Sequence, residues 1–134
     1  MDNLTPEQRT KNMKSIRSEN TQPELKVTSE LKRRHIYFST HSKTIIGKPD
    51  ILFRRKKIAV FIDSDFWHGN PGYFKMPKSN TRYWKAKITR NKCRDTKVTA
   101  TLRKSGWKVI RIWEHDINNN LCKSIVRIMK FLKP

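Results

Sequence analysis

Asp50 opens the apolar run Ile51-Leu52-Phe53, and Asp63, Asp65 and His68 follow a second run, Ile58-Ala59-Val60-Phe61-Ile62. Between the runs lies Arg54-Arg55-Lys56-Lys57, a basic tetrad suited to a solvated hairpin turn. A hairpin folded there holds the Asp50 carboxylate on one strand beside the acids and the histidine at the end of the next. Groups gathered in this way can cradle one hard divalent cation and one activated water. The chain carries 31 Lys and Arg against 11 Asp and Glu, a formal net charge of +20, so the substrate implied is a polyanion. The combination points to hydrolysis of a phosphodiester in DNA.

At 134 residues, with 35% hydrophobic content, the chain is expected to form one domain with a thin core and a heavily charged surface. The same charge would also suit a basic protein built into a larger complex. An anionic membrane surface fits less well, because the cations are spread along the chain and not gathered on one amphipathic helix. Cys93 and Cys122 are too few for a disulfide scaffold and read as free thiols in a reducing compartment. No apolar run approaches the roughly 20 residues that span a bilayer, and the N-terminus lacks the apolar core of a signal peptide. A cytoplasmic, bacterial-type protein associated with the nucleoid is the expectation.

These groups need elements to hold them. Thr5-Pro6-Glu7-Gln8 reads as a helix start with a capping box, but Arg9 to Asn20 is polar and basic, so residues 1–20 are expected to form a basic arm and 21–134 the folded domain. A helix is expected over Gln22 to Arg34, with Leu25 and Leu31 inward, and strands over Ile36–Ser39, Pro49–Arg54 and Lys57–Asp63. Gly69 to Lys78 reads as a loop. A long helix follows from Asn80 to Lys104, striped by Trp84, Ile88, Val98 and Leu102. Gly106 stops it before the alternating strand Trp107–Trp113, whose two tryptophans are assigned to the core. Leu121, Ile125, Ile128, Met129 and Leu132 mark an amphipathic C-terminal helix. The alternation predicts an α/β domain with a central mixed β-sheet flanked by helices. Phe66 and Trp67 lie beside loop glycines and outside any apolar period, so they suit insertion into a base stack at the cut.

The order strand-Asp, hairpin, strand-acid resembles the PD-(D/E)xK nuclease core, and the whole is similar to the very short patch repair endonucleases, which nick DNA at T·G mismatches. The matching residues are Lys11-Asn12-Met13, Ile16, Thr21, Glu24, Gly47-Lys48-Pro49-Asp50, Phe66-Trp67-His68, Thr81, Trp84, Asn91, Arg94-Asp95, Gly106-Trp107 and Trp113-Glu114. The resemblance implies a restriction-endonuclease-like fold and a Mg²⁺ ion held by Asp50 and the backbone carbonyl of Ile62. It also implies His68 as the base, Asp95 as the carboxylate orienting it, and Glu24 and Asp63 as holders of outer-shell waters. Met13 and Trp84 would join Phe66 and Trp67 in an aromatic and thioether wedge, and Lys87 and Asn91 would meet phosphates. Simpler roles stay open: Asp50 as a turn cap, His68 as a solvated loop residue, Asp95 in a surface ion pair, Trp84 in the core. Double-stranded DNA is the expected partner, with mismatch-repair proteins as further ones, and nothing in the sequence suggests a dimer seam.

The resemblance breaks at a structural zinc that members of that family hold through three cysteines and a histidine. Asp65, Asn70, Gly72 and His115 stand at those places, and a tetrahedral zinc needs four good ligands, so no structural zinc is expected. An Asp65–His115 ion pair is expected to tie the loop instead. The rebuilt loop leaves open a related nuclease of restriction, phage or mobile-element origin, and a non-catalytic DNA-binding module. Metal analysis of protein purified without chelator is expected to show no zinc; one zinc per chain would overturn this reading.

Overall fold

The computed structural model describes residues 21–133. The basic arm, the Thr5–Gln8 helix start and Met13 lie outside them. The element order is α1 (Gln22–Arg33), β1 (Ser39–Thr40), β2 (Ile51–Phe53), β3 (Ile58–Asp63), α2 (Thr81–Lys104), β4 (Lys108–Trp113), α3 (Glu114–Asn119) and α4 (Leu121–Leu132). The strands form one sheet in the order β1-β2-β3-β4, antiparallel except for the parallel β3–β4 pair. A parallel pair needs a long crossover, and α2 supplies it. The expected α/β architecture with a mixed sheet and flanking helices is what the chain adopts.

Both faces of the sheet are covered, which is why its central strands are continuous apolar runs and not alternating ones. Successive side chains still point to opposite faces. Ile51, Phe53, Ile58, Val60, Ile110 and Ile112 meet Val27 and Leu31 of α1, Ile117 of α3, and Ile125 and Ile128 of α4. Leu52, Ala59, Phe61 and Val109 meet Val98 and Leu102 of α2, with Ile45 and Trp107 partly buried at the margin. Among the described residues no helix is long and apolar enough to cross a membrane.

Three expectations shift, and one short helix is added. Leu25 is 41% exposed, because the inward face of α1 carries Glu24, Val27, Thr28 and Leu31, spaced three, one and three, and Leu25 falls beside that stripe. The strand expected over Ile36–Ser39 shrinks to Ser39–Thr40, since the chain leaves α1 through His35 at φ 57° and Tyr37 is 96% exposed. Trp113 is half-buried and joins neither apolar cluster. The one-and-a-half turns of α3, with Ile117 as their buried residue, are too short to show a helical period in sequence.

Gly47, at φ 80°, begins the turn that delivers Asp50; a β-carbon there would stand 2.4 Å from Val98 Cγ1 and 3.3 Å from the Phe61 ring. Gly72, at φ 88°, has open space around the same position. Gly47→Ala is therefore expected to cost about 3 kcal/mol and Gly72→Ala about 1 kcal/mol, the difference being overpacking. Denaturant midpoints at equal m-value check this.

Candidate active site

The β2–β3 hairpin turns through Arg54–Lys57, with Lys57 at φ 53° and its N–H on Arg54 O at 3.2 Å. That turn sets Ile51 opposite Val60, so Asp50, just before β2, reaches the last residues of β3. The Ile62 N–H donates to Asp50 Oδ2 at 2.7 Å. In an extended strand a residue's N–H and C=O point to the same side, so the Ile62 carbonyl faces the Asp50 side as well. The parallel register then sets Arg111 of β4 opposite Phe61 and Trp113 opposite Asp63. Asp50, Phe61, Ile62, Asp63 and Arg111 line a cleft of about 610 Å³ together with His41, Lys43, Lys48, Trp67, His68, Arg94 and Asp95.

After β3 the chain turns at Ser64, whose backbone oxygen accepts from the His68 N–H at 3.1 Å, while its hydroxyl faces the Trp67 N–H at 3.4 Å. Asn91 on α2 donates through Nδ2 to Trp67 O at 2.9 Å, so its amide is occupied in holding this loop. His68 Nδ1 is hydrogen-bonded to Asp95 Oδ2, and among the described residues Nε2 is the ring nitrogen left without a hydrogen bond. Asp63 Oδ1 lies 3.8 Å from the same Nδ1 and 2.9 Å from Arg111 Nη1. The aromatic residues form one cluster: Phe66 has its ring centre 5.0 Å from Trp67, 5.4 Å from Trp84 and 5.6 Å from Phe74. Trp84 is half-buried in this cluster and does not belong to the core stripe of α2. Lys87 Nζ lies 5.9 Å from the Trp67 ring centre.

Glu24 is buried on α1 and bonded to Nε2 of His41, which lines the cleft. The structure thus brings Asp50, Asp63, His68 and Asp95 together and sets Glu24 behind His41. Two residues in this array went unnoticed in the sequence, His41 and Arg111. Arg111 did leave a signal: it interrupts the apolar strand Val109-Ile110-Arg111-Ile112 at a position whose neighbours on either side are buried. His41 left none.

The charges divide the cleft in two. Ligating atoms of Asp63, His68 and Asp95 lie within 4.8 Å of one another, but Arg111 already supplies that group with a cation. Burial raises the Asp63 carboxyl above the usual range, and the positive charge of His68 and Arg111 opposes the rise. Asp50 has no such partner among the described residues. Burial pushes its pKa up to about 7, the Ile62 N–H and the charge of His41 oppose the rise, and the nearby acids Glu24 and Asp63 add to it. A carboxylate beside a backbone oxygen, short of positive charge, fits a hard divalent cation.

Zinc does not fit at the loop. Asn70 is buried, with Nδ2 on Asp65 Oδ1 at 2.8 Å, and Gly72 has no side chain. The expected Asp65–His115 ion pair is not formed: His115 stacks on Tyr73 at 3.6 Å between ring centres and bonds Asn119, while the Asp65 N–H donates to Glu114 Oε1 at 2.9 Å. The loop is tied to α3 after all, by Glu114 and by the stack.

A family model described as DNA mismatch endonuclease Vsr matches residues 1–73, more than half of the chain. The chain belongs to the Vsr family. It is a DNA endonuclease. The type II nicking enzyme V.NmeDIP of Neisseria meningitidis serogroup C is 42% identical over 131 residues, covering 95% of this chain and 88% of that protein. The type II nicking enzyme V.HpaIIP of Haemophilus parainfluenzae is 41% identical over 133 residues, with coverages of 97% and 94%. The DNA mismatch endonuclease Vsr of Escherichia coli K12 is 32% identical over 107 residues, or 79% of this chain and 69% of that one. The catalytic domain of the homing endonuclease I-Bth0305I shares the fold, with a TM-score of 0.55 at 20% identity over 84% of this chain and 94% of that domain.

The sign of the Asp50 shift generates a pH test. A carboxyl whose pKa rises on folding stabilises the metal-free fold at low pH, and that contribution is lost as pH climbs from its unfolded value toward about 7. A cation bound to the ionised carboxylate acts in the opposite sense. The Mg²⁺-induced rise in Tm is therefore expected to be small at about pH 5.5 and to grow toward about pH 8. Asp50→Asn is expected to remove it. A shift that is independent of pH, or that survives Asp50→Asn, overturns the fit of a cation to Asp50.

Proposed function

We propose that the chain is a Mg²⁺-dependent endonuclease that nicks one strand of duplex DNA at T·G mismatches. The observation that carries this reading is the pairing, across one cleft, of the cation-poor Asp50 carboxylate with a His68 ring whose Nδ1 is held by Asp95. Asp50 and the Ile62 carbonyl would hold the ion, an all-oxygen set that suits Mg²⁺. The chemistry such an ion would supply there is activation of a water and relief of charge on the phosphate. His68 takes the proton from the attacking water at Nε2 as the new phosphorus–oxygen bond forms and the strand oxygen departs. Asp95 holds the Nδ1 proton and stabilises the imidazolium once it forms. Glu24, bonded to His41, and Asp63 order the waters around Asp50.

Phe66, Trp67 and Trp84 serve as the wedge that opens the stack, and Lys87 meets a phosphate beside Trp67. Met13 from the arm would join the wedge. Nicking in place of double-strand scission agrees with one set of catalytic groups in one monomeric domain, and with the names of the type II relatives. Those names also support a second reading, a restriction-linked nicking enzyme with another target. Action with mismatch-repair proteins in the bacterial cytoplasm belongs to the first reading.

A panel of matched and mismatched duplexes separates the two, scored as single-strand nicks with Mg²⁺. The T·G duplex is expected to be cut fastest. Asp50→Ala is expected to abolish cutting and His68→Ala to slow it by about 10²- to 10⁴-fold, with DNA binding largely retained in both. Parental cutting by Asp50→Ala would dismantle the site, and equal rates on matched duplexes would favour the second reading.

A further inference from the structure

From the middle of β4, Arg111 reaches three residues at once. Its Nη1 lies 2.9 Å from Asp63 Oδ1 and 3.8 Å from Asp95 Oδ1. Its Nε donates to Thr99 Oγ1 at 2.7 Å and Nη2 to the main-chain oxygen of Asp95 at 3.4 Å. The guanidinium carbon sits 4.2 Å from the centre of the Phe61 ring, which fixes the plane of the fork. The Arg111 carbonyl accepts from Arg127 Nη1 at 2.8 Å, so the residue is tied to α4 from behind. The two carboxylates that Arg111 grips are the two that face Nδ1 of His68.

We propose that Arg111 is a positioning residue for the nicking reaction: it clamps Asp63 and Asp95 about His68, and its charge offsets theirs, so that the imidazole can accept a proton at Nε2. The inference rests on the assignment of His68 as the base. Two carboxylates facing one histidine favour the imidazolium, which can take no proton from water. One guanidinium shared between them halves that bias while keeping the Asp95 hydrogen bond that sets the tautomer. The planar fork matters as much as the charge, because a lysine cannot reach Asp63, Asp95 and Thr99 together. The other charged or titratable groups around this cleft are Asp50, His41, Lys43 and Lys48 across it, Arg94 from α2, Lys92, whose chain lies against Gly69, and Glu114, which is bonded to the Asp65 N–H. None of these is hydrogen-bonded or ion-paired with His68 among the described residues, so the balance at the ring falls to Asp63, Asp95 and Arg111.

The test joins an NMR titration of the His68 ring, without DNA, to the pH profile of single-turnover nicking, in the parent, Arg111→Met and Arg111→Lys. Arg111→Met is expected to move the His68 midpoint upward, to carry the acid limb of the rate with it, and to lower the plateau rate about tenfold or more. Arg111→Lys is expected to restore the midpoint but not the plateau. A His68 midpoint that Arg111→Met leaves in place, or a rate profile that ignores it, overturns the proposal. Should Arg111→Met fail to fold, Arg111→Lys decides: a reduced plateau supports the clamp and a parental plateau overturns it. A parent that nicks no duplex defeats the proposed function alone, since the ring titration still reads what Arg111 does to His68.

Discussion

The β2–β3 register determines where negative charge accumulates in this molecule, and most of the site follows from that. Pairing Ile51 with Val60 leaves Asp50 with a main-chain N–H to bind but, among the described residues, no side-chain cation paired with it. A partly buried carboxylate so placed resists ionisation, as its pKa near 7 records. The neighbouring strand β3 ends in Asp63, whose carboxyl burial also raises, but there Arg111 from the parallel neighbour β4 opposes the rise. One sheet therefore carries an acid short of positive charge and an acid supplied with it. In the proposed reaction the first would hold the ion and the second would help to orient the imidazole.

Much of this was legible in the chain. The paired apolar runs around Arg54–Lys57, the Gly106 stop and the spacing of the C-terminal apolar residues each predict the element that forms, because local turn chemistry and periodicity decide them. The convergence of Asp50, His68 and Asp95 was legible only through linked motifs, since Asp95 comes from a helix 27 residues after His68. What escaped notice depends on three-dimensional neighbours. Leu25 lost the inward position to Glu24, a polar residue that no hydropathy pattern would place there. His41 acquires its role from Glu24 on another element. Arg111 acquires its role only when the strand register sets it against Asp63.

The loop after β3 shows a different economy of parts. Where members of its family hold a metal, this chain substitutes a buried amide on Asp65, a carboxylate from Glu114, and a tyrosine stacked on His115. Such contacts hold the chain locally by several modest interactions, each worth roughly 1 kcal/mol, instead of one strong centre. The consequence is a loop whose shape can be altered by single substitutions, and this is the loop that carries Phe66 and Trp67.

Helix α2 carries Trp84, Lys87, Asn91 and Asp95 on one side, at intervals of three, four and four. One end of that row belongs to the aromatic cluster and the other to the proton-handling pair, separated by about 16 Å of continuous helix. The rod would make the proposed base opening and proton transfer parts of a single rigid body, since the helix runs unbroken between them. Inserting one residue would rotate one end by about 100° against the other, so this stretch can drift in composition over evolutionary time but not in length.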